Sequence, residues 1–307
     1  MNILFNSNLL TYKEPKIIKN DDLFYSFRCQ LDNYQVPHSI SNFSYTEEEY
    51  KEELFKLKAI IDYAAKNNDY LVVDYNNNNF QIFENDKFLF TDKLPNKNYV
   101  QYGMIKTLAH NDEVSKVNRY FELANFEHLS GRNISVINLD EVNLIESLIQ
   151  FSKKVNSDLW IKSTKPKSFI KKVSLNDINL LPNDINNILD IIYDAQLHSE
   201  YILSSNRTVK KEYRFFIINN EIVSYSLKDE KLTPFSKEEF VPSNVINFAK
   251  YAIMNIKDEL SMPYVLDIAI DINNQPFLME LNPLRNSGLY KTDPYKIQEK
   301  YLEKYRK

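Results

Sequence analysis

Residues 263–290 read PYVLDIAIDINNQPFLMELNPLRNSGLY, and this stretch limits the possible folds more than any other. Two apolar runs flank Asn273-Asn274, a pair that accepts the positive φ angles of a tight hairpin turn. A two-residue loop there sets the register. Ile272 faces Gln275, Ile270 faces Phe277, Ile268 faces Met279 and Leu266 faces Leu281. Side chains alternate along a strand, so Asp267, Ala269 and Asp271 share the other face with Leu278, Glu280 and Asn282. Asp267 then lies directly opposite Glu280. Like charges paired across strands are destabilising, and such a pair requires a shared proton, a cationic neighbour or a bound metal. Asn282 adds a third oxygen-bearing side chain. A few hard oxygens with room left for phosphates suit magnesium.

Glycine usage narrows the choice of ligand site. The chain has 307 residues and 3 glycines, Gly103, Gly131 and Gly288. That excludes the glycine-rich loops of dinucleotide-binding and Walker-type sites, so any nucleotide must be held by side chains. A net charge of −4 gives no general electrostatic case for nucleic acid. The tyrosines are not spaced as a stacking platform. One cysteine, Cys29, excludes an internal disulfide and a thiolate zinc cluster, and the four histidines lack metal-ligand spacing. There is no apolar run long enough to span a membrane and no basic, secretory-type N-terminus. The expectation is a soluble cytoplasmic protein with no membrane or nucleic-acid partner; oligomeric state stays open.

Along the chain, MNILF reads as a strand. Thr46 to Glu49 form a capping box for a helix with apolar positions Tyr50, Leu54, Leu57, Ile61 and Ala64. YLVVD is a buried strand, FQIFENDKFLF a hairpin closed by Asn85-Asp86, and 100–110 and 113–125 are expected to be helical. From Gly131 onward, ISVI and LWIK read as strands around a helix capped by Asp140. A lysine-rich stretch follows, then a helix opened by Pro182 and Asn183. KKEYRFFIINNEIVSYSLK is a second hairpin, closed by Asn219-Asn220. A helix capped by Ser243 comes before the opening hairpin, and a short helix over 293–305 ends the chain.

Charged residues mark three of these strands. Lys162 ends LWIK, with Lys165 and Lys167 just beyond; Glu212 and Arg214, two apart, project from one face; Asp267, Glu280 and Asn282 complete the set. Cations from one region and carboxylates from another suit a nucleotide whose phosphates are bridged by metal and clamped by Lys and Arg.

The order strand-Lys, hairpin with E-x-R, then D-x-A-x-D and M-E-L-N-P resembles the ATP-grasp superfamily. The last segment, with Ser287-Gly288-Leu289-Tyr290 after E-x-N-P, resembles most the small clade named for one arginine and two lysines. The likeness covers about 130–300. It implies an α/β (α+β) ATP-grasp fold with a divergent N-terminal α/β domain. The expected division is 1–125 and 126–307, the latter made of a lid-like part over about 130–198 and a larger sheet over about 199–307. By the same resemblance, Lys162 and Lys167 contact ATP phosphates, and Glu200, Tyr201 and Ile202 line the adenine and ribose. Glu212 orients Arg214, which neutralises the γ-phosphate or a developing acyl phosphate. Asp267, Glu280 and Asn282 hold Mg2+. Arg285, Ser287 and Tyr290 either line the acceptor site or close a loop. The implied activity is ADP-forming ligation of a small-molecule or peptide carboxylate to an amine. A small-molecule kinase and a non-catalytic nucleotide-binding module are the alternatives.

Overall fold

The structure is a computed structural model. It describes residues 1–7, 10–11, 39–40, 47–75, 79–84, 87–91, 93–103, 116–138, 144–164, 170–181, 183–184, 186–191, 200–229, 240–284 and 287–306. Cys29, Thr46, Asn85, Asp86, Asp140, Lys165, Lys167, Pro182 and Arg285, singled out above, lie outside the described residues.

Among the described residues, three sheets of four or five strands follow one another. The first contains β1 (Asn2–Ser7), β4 (Tyr70–Tyr75), β5 (Asn79–Glu84), β6 (Lys87–Thr91) and β7 (Val100–Gly103), in the order β6-β5-β4-β1-β7; β2 (Leu10–Thr11) and β3 (Ser39–Ile40) pair separately. β1 is parallel to both β4 and β7, and helix α1 (Glu47–Asn67) connects β1 to β4. Buried on both faces, β1 and β4 read as continuous apolar runs: Ile3, Phe5, Leu71 and Val73 point into one core, Leu4 and Val72 into another. β7 corrects the sequence reading, because residues 100–103 were expected to be helical. The parallel edge beside β1 satisfies their backbone groups.

The second sheet contains β8 (Ile134–Asn138), β9 (Leu159–Ser163), β10 (Ile170–Val173) and β11 (Glu200–Ser205), in the order β10-β9-β11-β8. A short helix, α2 (Phe126–Ser130), leads into it, and α3 (Leu144–Val155) and α4 (Leu175–Leu180) accompany it. Leu144, Leu148 and Phe151 pack with Leu159, Ile161, Tyr201 and Leu203. The alternation of β9 and β11 leaves Trp160, Lys162, Ile202 and Ser204 for the opposite face.

The third sheet contains β12 (Lys211–Ile218), β13 (Glu221–Leu227), β14 (Tyr264–Ile270) and β15 (Pro276–Pro283), in the order β13-β12-β14-β15. On one face Tyr213, Phe215, Leu266 and Ile268 pack with Val245, Ala249 and Ile256 of α5 (Ser243–Ile256). On the other, Phe216, Ile218 and Val265 join the core of the first sheet together with Ile297 and Tyr301 of α6 (Pro294–Tyr305). The N-terminal stretch and the third sheet therefore share one core. Asp293 caps α6, its carboxylate accepting from Tyr295 N–H and Lys296 N–H. Ser243 is the first residue of α5, and Pro242 occupies the cap position without a side-chain bond, so Ser243 is not the cap read from the sequence.

Both Asn-Asn hairpins form, and both contain a one-residue bulge. Asn219 and Asn220 have φ of 53° and 60° between Ile218 and Glu221, as the two-residue loop requires. The register then shifts between Phe216 and Ile217. The β14–β15 turn differs from the expected one. Ile270 pairs with Pro276, and Asp271 closes the loop with its carboxylate accepting from Asn273 N–H and Gln275 N–H at 2.9 Å each. Phe277 consequently pairs with Ala269 and Leu278 with Ile268, each on the face opposite to the one expected. A bulge between Asp267 and Ile268 absorbs the offset, and Asp267 faces Glu280 as the sequence suggested.

Candidate functional site

The charged side chains of the third sheet gather around Asp267, at the middle of β14. Its partner on β12 is Arg214. The Arg214 guanidinium donates through Nε to Asp267 Oδ1 at 2.8 Å and through Nη2 to Oδ2 at 2.7 Å, a two-pronged ion pair with both side chains buried. Arg214 Nη1 donates to Gly288 O at 3.1 Å. Glu212, Asp267 and Glu280 each place a carboxylate oxygen within 4.8 Å of the others.

The sequence reading missed the group that holds these carboxylates together. Lys228 Nζ donates to Glu212 at 2.6 Å, to Asp267 at 3.0 Å and to Glu280 at 3.4 Å. A strict two-residue hairpin puts Lys228 opposite Lys211, on the wrong face. The bulge at Val223 brings it beside Glu212, whose carbonyl accepts from Lys228 N–H. Only a bulge signal could have revealed this, and an Ile-Val-Ser run carries none.

Lys162 reaches across from β9 and donates to Glu280 Oε2 at 3.0 Å and to the Tyr120 hydroxyl at 3.1 Å. Burial opposes the ionisation of Glu280, but Lys162 and Lys228 together outweigh it and hold its carboxyl down at about 2. Glu212 goes the other way: burial, aided by Asp267 and Glu280, raises it despite Lys228. Burial works against the charge on Lys162 and on Lys228, and their anionic neighbours more than restore it. Asn282 donates its amide to Asp267 at 3.3 Å and to Glu280 at 3.2 Å; turned over, the same amide offers its oxygen.

Between the second and third sheets lies a cavity of about 370 Å³ lined by Tyr120, Arg132, Lys162, Ile202, Met279 and Glu280 among others. Ile202 therefore faces the cavity. Tyr201, its neighbour, is fully buried in the core on the far side of the sheet. Glu200 is engaged by Arg119, which donates to its two oxygens at 2.7 and 3.0 Å. Arg132 is a second cation that the sequence reading passed over. Nη2 donates to Met279 O at 2.9 Å, Nε is buried without a partner among the described residues, and burial lowers its pKa. Lys162, Glu212, Arg214, Asp267, Glu280 and Asn282 are thus brought together, and Ile202 lines the adjoining cavity. Lys167 lies outside the described residues.

Two sheets thus enclose a cavity with Lys162 and Lys172 on one wall and the hairpin that carries Glu280 on the other. The ATP-grasp domain of family 2 in the clade named for one arginine and two lysines matches residues 129–299, more than half of the sequence, and the chain belongs to that family. No curated protein matches it. Among solved structures it is similar to the RiPP-associated ATP-grasp ligase of Chryseobacterium gregarium in complex with ADP and a leader and core peptide, at a TM-score of 0.51 and 9% identity over 98% of this chain and 95% of that one. It is also similar to macrocyclase MdnC from Microcystis aeruginosa MRC bound with precursor peptide MdnA, at 0.50 and 10% over 99% and 100%. The ATP-grasp ligase PsnB complexed with minimal precursor matches at 0.45 and 12%; that match takes in 67% of this chain and 64% of PsnB. At these identities the likeness is one of fold. Among the described residues, no helix is long and apolar enough to cross a membrane.

Proposed function

We propose that this protein is an ATP- and Mg2+-dependent, ADP-forming ligase that joins a carboxylate to an amine. The observation that carries the reading is the cluster of Glu212, Asp267 and Glu280 around the Lys228 ammonium. A cation already sits among these oxygens, so the donor set suits a metal ion, and Asp267, Glu280 and Asn282 would hold it, with Glu212 alongside. Mg2+ held there would offset the negative charge of a triphosphate. Lys162, Arg214 and Lys228 balance the carboxylates within the cluster, so a triphosphate brings negative charge that a divalent ion must neutralise.

Within this reading Lys162 and Arg132 grip the phosphates, and Lys167 is assigned the same task. Ile202 and Met279 flank the base, with Glu200 and the backbone of Tyr201 towards the ribose. Arg214 stands at the transfer end. A substrate carboxylate oxygen attacks the γ-phosphorus, the bond to ADP breaks, and an acyl phosphate forms. The amine nitrogen then attacks the acyl carbon, inorganic phosphate leaves and the amine loses a proton. No protein nucleophile is needed; positioning and charge neutralisation suffice. We assign nucleotide binding to 126–307, with 130–198 as its lid-like part, and acceptor recognition to 1–125. A peptide substrate is favoured over a small acid because the full-length structural neighbours are complexes with peptides. The setting is cytoplasmic, where ATP is available.

The test is ADP release from Mg-ATP in the presence of candidate carboxylates and amines, with hydroxylamine as the trapping nucleophile. An acyl hydroxamate supports the mechanism. AMP as product overturns it, and a stable phosphorylated product without ligation turns the reading to a kinase.

A further inference from the structure

The site has a support from the opposite end of the sequence. Glu52 lies on α1, and its Oε1 accepts from Leu289 N–H at 2.7 Å across 237 residues of sequence. Lys56, one turn further along α1 and buried, donates to the same carboxylate at 3.1 Å. The other end of the same peptide group is tied to the charge cluster, because Gly288 O accepts from Arg214 Nη1. A Cβ placed on Gly288 would lie 3.5 Å from Arg214 Nη1, 3.5 Å from Tyr290 Cε2 and 3.6 Å from Glu52 Oε2, so these three side chains converge on one glycine.

The backbone there is strained. Tyr290 has φ of +49°, in a region costly for an aromatic residue. Such a conformation persists only where its surroundings over-determine it. Here Leu289 is held on both sides: its N–H goes to Glu52, and its carbonyl accepts from Thr292 N–H at 3.1 Å and from the Thr292 hydroxyl at 2.6 Å. The result is a Tyr290 ring whose centroid lies 5.0 Å from Arg214 Cζ, covering the guanidinium.

We propose that Glu52 is a positioning residue for the transfer end of the site. It fixes residues 287–290 through the Leu289 N–H, and that loop fixes Arg214 through the Gly288 carbonyl and the Tyr290 ring. The N-terminal stretch then completes the phosphate clamp as well as facing the acceptor. This rests on the ligase reading, in which Arg214 meets the terminal phosphate.

The test compares wild type, Glu52→Ala, Glu52→Asp and Glu52→Gln, with Glu299→Ala, which removes an exposed ion pair to Lys66, as the control. Calorimetry measures binding of Mg-ADP and of the Mg complex of β,γ-imido-ATP, and hydrogen exchange follows the peptide spanning 287–290. Losing a hydrogen bond to a charged group is worth about a tenfold change or more. Glu52→Ala is therefore expected to weaken the imido triphosphate about tenfold, leave Mg-ADP within about twofold, and speed exchange in 287–290. Glu52→Asp, whose shorter side chain draws the acceptor back, shows the same selectivity with a smaller loss and carries the test should Glu52→Ala fold poorly. Glu52→Gln, which keeps an acceptor, recovers most of the binding. Equal weakening of both nucleotides, or unchanged exchange, overturns the assignment. A wild type that binds neither nucleotide overturns the ligase reading instead, while hydrogen exchange still decides whether Glu52 holds the loop.

Discussion

Asp267 and Glu280 face each other across β14 and β15 because a bulge in β15 cancels the offset introduced by the longer turn at Asp271–Gln275. A matching bulge in β13 places Lys228 beside Glu212. Each hairpin therefore carries one extra residue that its bulge absorbs before the charged side chain enters the cluster. Deleting Met279 or Val223 removes the bulged residue alone, so Glu280 is expected to stay opposite Asp267 and Lys228 to stay beside Glu212 in a regular ladder. The rise in Tm on adding Mg-ATP should survive either deletion; its loss would mean that the site requires the bulge geometry itself and not only the register.

Breaking the buried Arg214–Asp267 pair leaves an uncompensated buried charge, which costs about 3–5 kcal/mol. Asp267→Asn should lower the free energy of urea unfolding by an amount of that order. Asn282→Ala, at a partly exposed position with longer contacts of 3.2 and 3.3 Å, should cost about 1 kcal/mol or less. Equal effects would mean that the ion pair does not anchor the cluster.

Lys228→Met removes the ammonium from among three carboxylates. The apo protein should lose about 2–4 kcal/mol, since the acids are left to repel one another. Mg2+ alone should then stabilise the variant more than it stabilises wild type, because the ion takes up the vacated charge. Thermal melts with and without Mg2+ read both effects, and a variant insensitive to Mg2+ would contradict the metal assignment.

Glu280 has a folded value near 2, below its ordinary 4.5. Its ionised form therefore contributes stability fully above pH 4.5, and that contribution drains away as pH falls towards 2. Glu212 is raised, so its ionisation opposes folding and its protonation at falling pH relieves that cost. The difference in unfolding free energy between wild type and Glu280→Gln isolates the Glu280 contribution. It should shrink steadily from pH 5 to pH 2 by on the order of 1–3 kcal/mol, and a flat difference would refute the coupling to Lys162 and Lys228.

The charged residues of the candidate cluster were legible in the sequence, because alternation in strands is a local property. Lys162, Glu212, Arg214 and Asp267 could be assigned to strand faces from period two alone, whereas Glu280 and Asn282 fall on the expected face only because the bulge cancels the offset of the turn. Equally legible was the long apolar periodicity of α1, which packs with Leu54, Leu57, Ile61 and Ala64 buried. β7 was not legible, since a short strand is stabilised by its neighbour β1 and not by its own pattern.

By itself, the sequence determined which carboxylates and cations the chain brings to its strands, and it excluded a glycine-rich cradle for phosphate. Tertiary structure alone decided that Lys228 sits at their centre, that Arg132 looks into the cavity and that Glu52 holds the loop behind Arg214. Each of these depends on a bulge or on a contact between distant elements. A bulge costs one residue of register, with no compositional signature, and a hydrogen bond across 237 residues is set by how helices and sheets pack, which no local pattern encodes.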